Sequence, residues 1–161
     1  MTDFTQPITG FGARLTAAVE QRQSQIVLGL DPAPDKLWPE AMPAMTPADP
    51  LAARAALGIA VATHCRALVD AAGPACVAIK PQLATFERLG APGWAALDAT
   101  VEHARASGLL VLLDGKRGDV PVTATAYAQA LLGETPTPFG DVRGLHGDAA
   151  TVNPLLGRDA I

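Results

Sequence analysis

Four short apolar runs, each closing on a polar residue, constrain this chain more than anything else in it. Residues 26–30 lead to Asp31, 76–79 to Lys80, 109–113 to Asp114 and 149–152 to Asn153. None alternates polar with apolar side chains, so each reads as a parallel strand covered on both faces. Helical patterns separate them. Asp49-Pro50 offers an N-cap and a first helical residue, and Leu51, Ala55, Ile59, Ala62, Cys65 and Val69 form one stripe ending at Gly73-Pro74. Trp94, Leu97, Val101 and Ala104 form a second stripe, stopped by Gly108. A third helix runs from Thr123 to Gly133 with Tyr127 and Leu131 four apart, and a leading helix covers 11–23. Residues 134–148, rich in Pro and Gly, read as an irregular loop.

Strands alternating with helices imply parallel βαβ units. An open doubly wound sheet announces itself with a glycine-rich phosphate loop after its first strand. Here that strand is followed by Asp31-Pro32-Ala33-Pro34, and neither dinucleotide nor nucleoside-triphosphate glycine motifs occur anywhere. Polar residues at every strand end are instead the signature of a (β/α)8 barrel, whose chemistry sits at that face. A complete barrel takes about 250 residues, and 161 are present. The expectation is therefore an α/β chain forming the first four β/α units, a half-barrel fragment and a single N-terminal portion over 1–161.

Composition removes several classes. The chain is 49% hydrophobic and 17% charged, enough to bury a core. Its net charge of −4 offers no basic footprint for nucleic acid. No uninterrupted apolar run approaches a membrane span, and the opening MTDFTQPITG lacks the order of a signal peptide. Cys65 and Cys76 stand alone, outside any C-x-x-C, which argues against a disulfide framework or thiolate metal site and makes the cytoplasm the default compartment. His64, His103 and His146 share no metal-ligand spacing and read as solvated.

The chemistry concentrates in Asp114-Gly115-Lys116-Arg117-Gly118-Asp119. Only three basic residues are lysine (Lys36, Lys80 and Lys116), and two of those follow apolar runs. Lysine can surrender a proton where arginine cannot. In extended backbone Asp114 and Lys116 share a face, with Gly115 allowing a close approach and Gly118 a turn that carries Asp119 off the strand line. This sets a buried cation between two carboxylates, which favour its charged form. Lys80 on the neighbouring strand extends the array to Lys–Asp–Lys–Asp. A solvated charged loop is the bland alternative, disfavoured by the five apolar residues that precede the cluster. For Asp31, an Asp-Pro turn and a functional role are equally good readings. For Arg158 and Asp159, so are ligand contact and helix start. Trp38 and Trp94 read as packing residues.

These residues resemble the bacterial type 2 branch of the orotidine 5′-phosphate decarboxylase family. The likeness is carried by Leu28-Gly29-Leu30-Asp31-Pro32, by Ile79-Lys80-Pro81-Gln82 running into Phe86-Glu87-Arg88-Leu89-Gly90, by Asp114-Gly115-Lys116-Arg117-Gly118-Asp119-Val120, and by Thr151-Val152-Asn153-Pro154 running into Leu156-Gly157-Arg158-Asp159. The resemblance implies a homodimeric (β/α)8 barrel that converts orotidine monophosphate to UMP and CO2 in pyrimidine biosynthesis, without metal or cofactor. It implies ribose contacts for Asp31 and Lys80, a place for Asp114 against the substrate carboxylate, and proton donation to C6 by Lys116. It also implies that Asp119 and Thr123 reach into the partner subunit's site, with Val120 lining the pocket. Asn153 joins the substrate-binding set. Gly115 stands where Ala is usual, Val120 where Ile is usual, and Pro121-Val122 where Gly-Ser is usual.

The family's pyrimidine-reading and phosphate-gripping residues come from later strands, so the chain alone is expected to be inactive or nearly so. Magnitudes agree: an ion pair at 4 Å contributes about 4 kcal/mol at an effective dielectric near 20. The largest enzymatic accelerations need roughly 23 kcal/mol or more, so remote binding must contribute. Two alternatives are a magnesium-dependent aldolase of the same barrel group, resembling hexulose-phosphate synthase, and a non-catalytic truncated homologue.

Overall fold

The computed structural model describes residues 10–44 and 47–158. Asp159 and all but the last residue of the opening decapeptide lie outside them. Helix α1 (Phe11–Arg22) leads into β1 (Val27–Leu30). Helix α2 (Pro50–Ala72) starts where Asp49 accepts hydrogen bonds from the Leu51 and Ala52 N–H groups, satisfying donors that the first helical turn leaves free. Strand β2 (Ala78–Pro81), the short α3 (Leu83–Glu87) and α4 (Ala91–Ala106) follow. Then come β3 (Leu110–Arg117), α5 (Pro121–Leu131), β4 (Glu134–Thr135), β5 (Val142–Arg143) and β6 (Ala149–Val152).

The main sheet is parallel, in the order β1-β2-β3-β6. Its strands adjoin in chain order with no reversal, which is how a barrel winds. The sheet does not close among the described residues. The segment 134–148 is not wholly irregular: β4 and β5 pair antiparallel as a small hairpin.

Strand residues two apart share a face. Leu28, Leu30, Ile79, Val111 and Leu113 pack with Val61, Cys65 and Val69 of α2 and Leu97, Val101 and Ala104 of α4. Phe86 and Leu83 of α3 complete this core, both fully buried. Each such side chain contributes roughly 1.5–3 kcal/mol relative to exposure. The opposite face carries Val27, Ala78, Lys80, Leu110, Leu112 and Asp114. Both faces were expected to be covered, but Val27 is 42% exposed and Leu110 and Leu112 are only half-buried. This is the face that the inside of a barrel would present.

The stripe expected on α2 is out of phase. Leu51 and Ile59 are 76% and 69% exposed, whereas Gly58, Ala60, Val61 and His64 join Cys65 and Val69 inside. The phase is set by close approach to α4, since a Cβ on Gly58 would stand 2.7 Å from Cβ of Pro92. His64 is thus buried, not solvated. The stretch Pro50–Ala75 also has the length and apolar composition of a membrane span, which the run-length reading passed over. It carries Arg54, Arg66 and Asp70, and it supplies Val61, Cys65 and Val69 to the core.

Candidate active site

The end of β3 departs from regular pairing. Leu113 lies opposite Ala150 and Arg117 opposite Val152, so four steps along β3 answer two along β6. The surplus makes a bulge of Asp114, Gly115 and Lys116, a device that re-aims side chains. Lys116 adopts the left-handed backbone conformation at φ 48°. That costs about 1–2 kcal/mol for a side-chain-bearing residue and persists only where surroundings hold it. The expectation of extended backbone through Asp114 and Lys116 is corrected here: they meet across a bulge. Gly118 is not the left-handed residue. A Cβ there would lie 2.9 Å from the Asn153 carbonyl oxygen, so its smallness admits the β6 loop.

Asp114 is the centre of the site and is 6% exposed. Its Oδ1 accepts from Lys116 Nζ at 2.6 Å and from the Thr151 hydroxyl at 2.8 Å. Its Oδ2 accepts from Lys80 Nζ at 3.1 Å and from the Gln82 amide at 3.2 Å. Burial alone disfavours a carboxylate. The Lys116 hydrogen bond above all, with Thr151 and Lys80, overrides burial and holds Asp114 down to about 2. Asp114 is an anion at neutral pH, gripped by two ammonium groups.

The expectation of a buried cation at Lys116 is corrected: the ammonium is not buried. The side chain is 65% exposed, with Asp114 its one ion-pair partner among the described residues. The exposure is on the uncovered face of the sheet. Among the described residues no ion pair joins Asp119 to the array. Its carboxylate accepts from the Val120 N–H at 2.7 Å, at the start of α5. Val120 is 58% exposed and Thr123 half-buried on that helix. Within one chain the array is therefore Lys80–Asp114–Lys116, without its fourth member.

Asp31 is exposed at the end of β1 and lines a cavity of about 290 Å³ with Lys36 and His64. Asn153 has a local role: its side chain accepts from the Leu155 N–H at 3.1 Å and caps a single helical turn. Its own N–H donates to the Arg117 carbonyl at 2.6 Å. Arg158 is exposed. Trp38 and Trp94 are 40% and 38% exposed, each only partly packed.

Two members of the site were not singled out from sequence, Gln82 and Thr151. Gln82 directly follows the Lys80-Pro81 pair and pairs with Asp114 as an isolated bridge. That position one strand over from Asp114 was its available signal. Thr151 heads the Thr151-Val152-Asn153-Pro154 stretch that carries the family likeness, which was its one signal, but its spacing did not point to the array. Nearby, Arg117 pairs with Glu87 of α3 and lies 5.4 Å above the Tyr127 ring. Arg88 donates to the Pro32 carbonyl at 2.7 Å, tying the loop after β1 to α3. No cluster able to hold a metal ion occurs among the described residues.

The fold and the site define four β/α units of a (β/α)8 barrel with a Lys–Asp–Lys array at the strand ends. A family model described as the orotidine 5′-phosphate decarboxylase / HUMPS family matches residues 24–161. The chain belongs to that family. It is 36% identical over 156 residues to an orotidine 5′-phosphate decarboxylase of Rhodopirellula baltica, covering 94% of this chain and 48% of the relative. It is 50% identical over 90 residues to one of Deinococcus radiodurans, covering 56% and 30%. The solved structure of Leishmania donovani OMP decarboxylase superposes with a TM-score of 0.66 at 29% identity, over 94% of this chain and 47% of that one. The chain thus spans about half the length, or less, of the relatives it matches.

Proposed function

We propose that this chain supplies the proton-donating half of a site that decarboxylates orotidine 5′-phosphate to UMP. The observation that carries the reading is the pairing of Lys80 and Lys116 on opposite oxygens of one buried carboxylate. In this reading Asp114 lies against the substrate carboxylate, where its fixed negative charge disfavours the bound anion. The bond from C6 to the carboxyl carbon breaks, CO2 departs, and the electron pair stays on C6. Lys116 Nζ then gives its proton to C6. An ammonium beside developing negative charge acts as preorganised electrostatic stabilisation. Its exposure on the open sheet face leaves it accessible to a ligand.

Asp31 and Lys80 would contact the ribose, and Asn153 the substrate from the β6 end. Asp119 and Thr123 would enter the site of a second copy in a homodimer, with Val120 against the pyrimidine pocket. In support, no ion pair among the described residues joins Asp119 to the array of its own chain, and its carboxylate accepts only a local N–H there. The remaining half of the barrel would supply the phosphate grip. A cytoplasmic setting suits two buried free cysteines. Burial pushes the Cys65 thiol up to about 12, which leaves it inert at neutral pH.

The test mixes this chain with the remaining half of the Rhodopirellula baltica relative and measures CO2 release from orotidine 5′-phosphate. The expected result is negligible turnover by the chain alone, and turnover by the mixture that depends on Lys116. Association of the halves with no turnover, or turnover untouched by Lys116→Ala, overturns the proposal.

A further inference from the structure

The bulge in β3 leaves the Lys116 backbone N–H without a strand partner, and a side chain supplies one. The Lys116 N–H donates to Thr151 Oγ1 at 2.9 Å, and the same hydroxyl donates onward to Asp114 Oδ1 at 2.8 Å. Asp114 Oδ1 in turn receives the Lys116 ammonium at 2.6 Å. The three contacts close a ring that starts at the backbone of Lys116 and returns to its own side chain. A hydroxyl is the group for this position because it accepts one hydrogen bond and donates another at once.

We propose that Thr151 is a positioning residue for Lys116, its hydroxyl holding the left-handed backbone of Lys116 and the carboxylate that anchors its ammonium in a single hydrogen-bonded ring. The sequence reading and the function proposed above give Thr151 no role. The geometry explains why one is needed. Lys116 is largely exposed, sits in a conformation that a side-chain-bearing residue avoids, and has Asp114 as its ion-pair partner. Lys80 and Gln82 hold the other carboxylate oxygen, Oδ2. Oδ1 is therefore the atom whose placement decides where the ammonium points, and Thr151 is its second donor. The methyl of threonine adds nothing to this ring, so serine should serve in its place.

The test uses the 161-residue chain itself and needs no turnover, so it is separable from the decarboxylase reading. Carbon-13 NMR follows the Asp114 carboxyl through an acid titration in the wild type, Thr151→Val and Thr151→Ser. Valine keeps the shape and removes both hydrogen bonds. Its expected effect is a rise of the Asp114 midpoint from about 2 towards the ordinary 3.8, with faster solvent exchange of the Lys116 amide. Serine should return both to wild-type values. An unchanged midpoint and unchanged amide exchange in a folded Thr151→Val chain overturn the proposal, as does failure of serine to restore them. Should valine prevent folding, the wild-type Lys116 amide decides: slow exchange supports the ring, and exchange at open-loop rates overturns it. In the reconstituted enzyme, which rests on the decarboxylase reading, Thr151→Val should lower kcat on the order of 100-fold, as displacement of a reacting group does. KM should change little, and serine should rescue most of the loss. Loss in KM alone would assign Thr151 to substrate binding and overturn the positioning role.

Discussion

Lys80 and Lys116 approach one carboxylate from opposite sides, Lys80 Nζ 3.1 Å from Oδ2 of Asp114 and Lys116 Nζ 2.6 Å from Oδ1. They come from adjacent parallel strands, and the register of β2 against β3 brings their ends level. The buried carboxylate keeps two like charges close together. Removing it should separate them, because both ammonium groups retain access to water.

Asp114→Asn keeps the shape of the side chain and removes its charge. Four donors then face a neutral amide, one half of which is itself a donor. Loss of charged hydrogen bonds at a buried acceptor costs about 1–3 kcal/mol. Urea unfolding at pH 7 should show a lower midpoint for the variant. The pH dependence has a definite sign. Asp114 titrates near 2 in the folded chain and at 3.8 without its partners. Its contribution is full above 3.8 and is lost as pH falls through the folded value, since the unfolded chain binds the proton first. With allowance for solvent reaching the lysines, that contribution is on the order of 1–2 kcal/mol. The gap between wild type and Asp114→Asn should therefore narrow between pH 4 and 2. A gap that stays constant over that range counts against the assigned ion pairs.

Lys116→Ala should abolish decarboxylation in the reconstituted enzyme and leave the fold intact, with a modestly lower urea midpoint at pH 7 because Asp114 loses its foremost partner. Circular dichroism and urea unfolding check the second part, and CO2 release the first. If Asp119 acts in a second subunit, mixing Asp119→Ala and Lys116→Ala subunits should restore activity to a fraction of the dimers. One of the two sites in a heterodimer then has both native residues. Subunit exchange without recovery would place Asp119 outside the site.

Gly115→Ala should destabilise the chain by no more than about 1 kcal/mol, the low end for overpacking a core, because the crowded atom is the movable end of a leucine side chain. A Cβ at this position would stand 2.6 Å from Cδ1 of Leu83, which is fully buried. The space beside the Asp114 bulge is thus filled by α3, not by a ligand or a second backbone. Leu83→Val should reduce the penalty, and a double-mutant cycle by urea unfolding measures that coupling. Equal penalties in both backgrounds would show that the strain lies elsewhere.

Much of this architecture is legible in the sequence because the physics is local. Apolar runs closed by Asp31, Lys80, Asp114 and Asn153 mark four parallel strands, and Asp49-Pro50 marks a helix start. The array of Lys80, Asp114 and Lys116 follows once those strand ends are set side by side. The bulge is not local: it exists only as a mismatch between β3 and β6, so nothing within 114–116 announces it. Thr151 belongs to the site through that mismatch and was passed over for the same reason. The phase of α2 was misread because alanines and larger apolar residues surround the whole helix. The Gly58–Pro92 approach, a tertiary contact, decides which side faces inward.

That misreading concealed His64, and its burial has a pH consequence. His64 is 8% exposed, its Nδ1 accepts from the Trp38 backbone N–H at 3.2 Å, and its ring meets the Trp38 ring edge-on at 5.2 Å. An acceptor nitrogen must be unprotonated, and burial lowers the His64 pKa below its ordinary 6.5. Asp31, Lys36 and Cys65 line the same cavity. The unfolded chain takes up the proton more readily than the folded one, so stability is full above pH 6.5 and declines as pH falls through the lower folded value. The Trp38 bond, worth about 1 kcal/mol, should be lost in that interval, loosening the segment that follows β1 and carries Asp31. Urea unfolding between pH 7 and pH 5 should show this slope in the wild type and a flatter one in His64→Leu, with the Trp38 amide less protected, relative to its intrinsic exchange rate, at the acid end. Identical slopes in the two chains would mean that His64 stays neutral, or titrates without consequence, across the whole range.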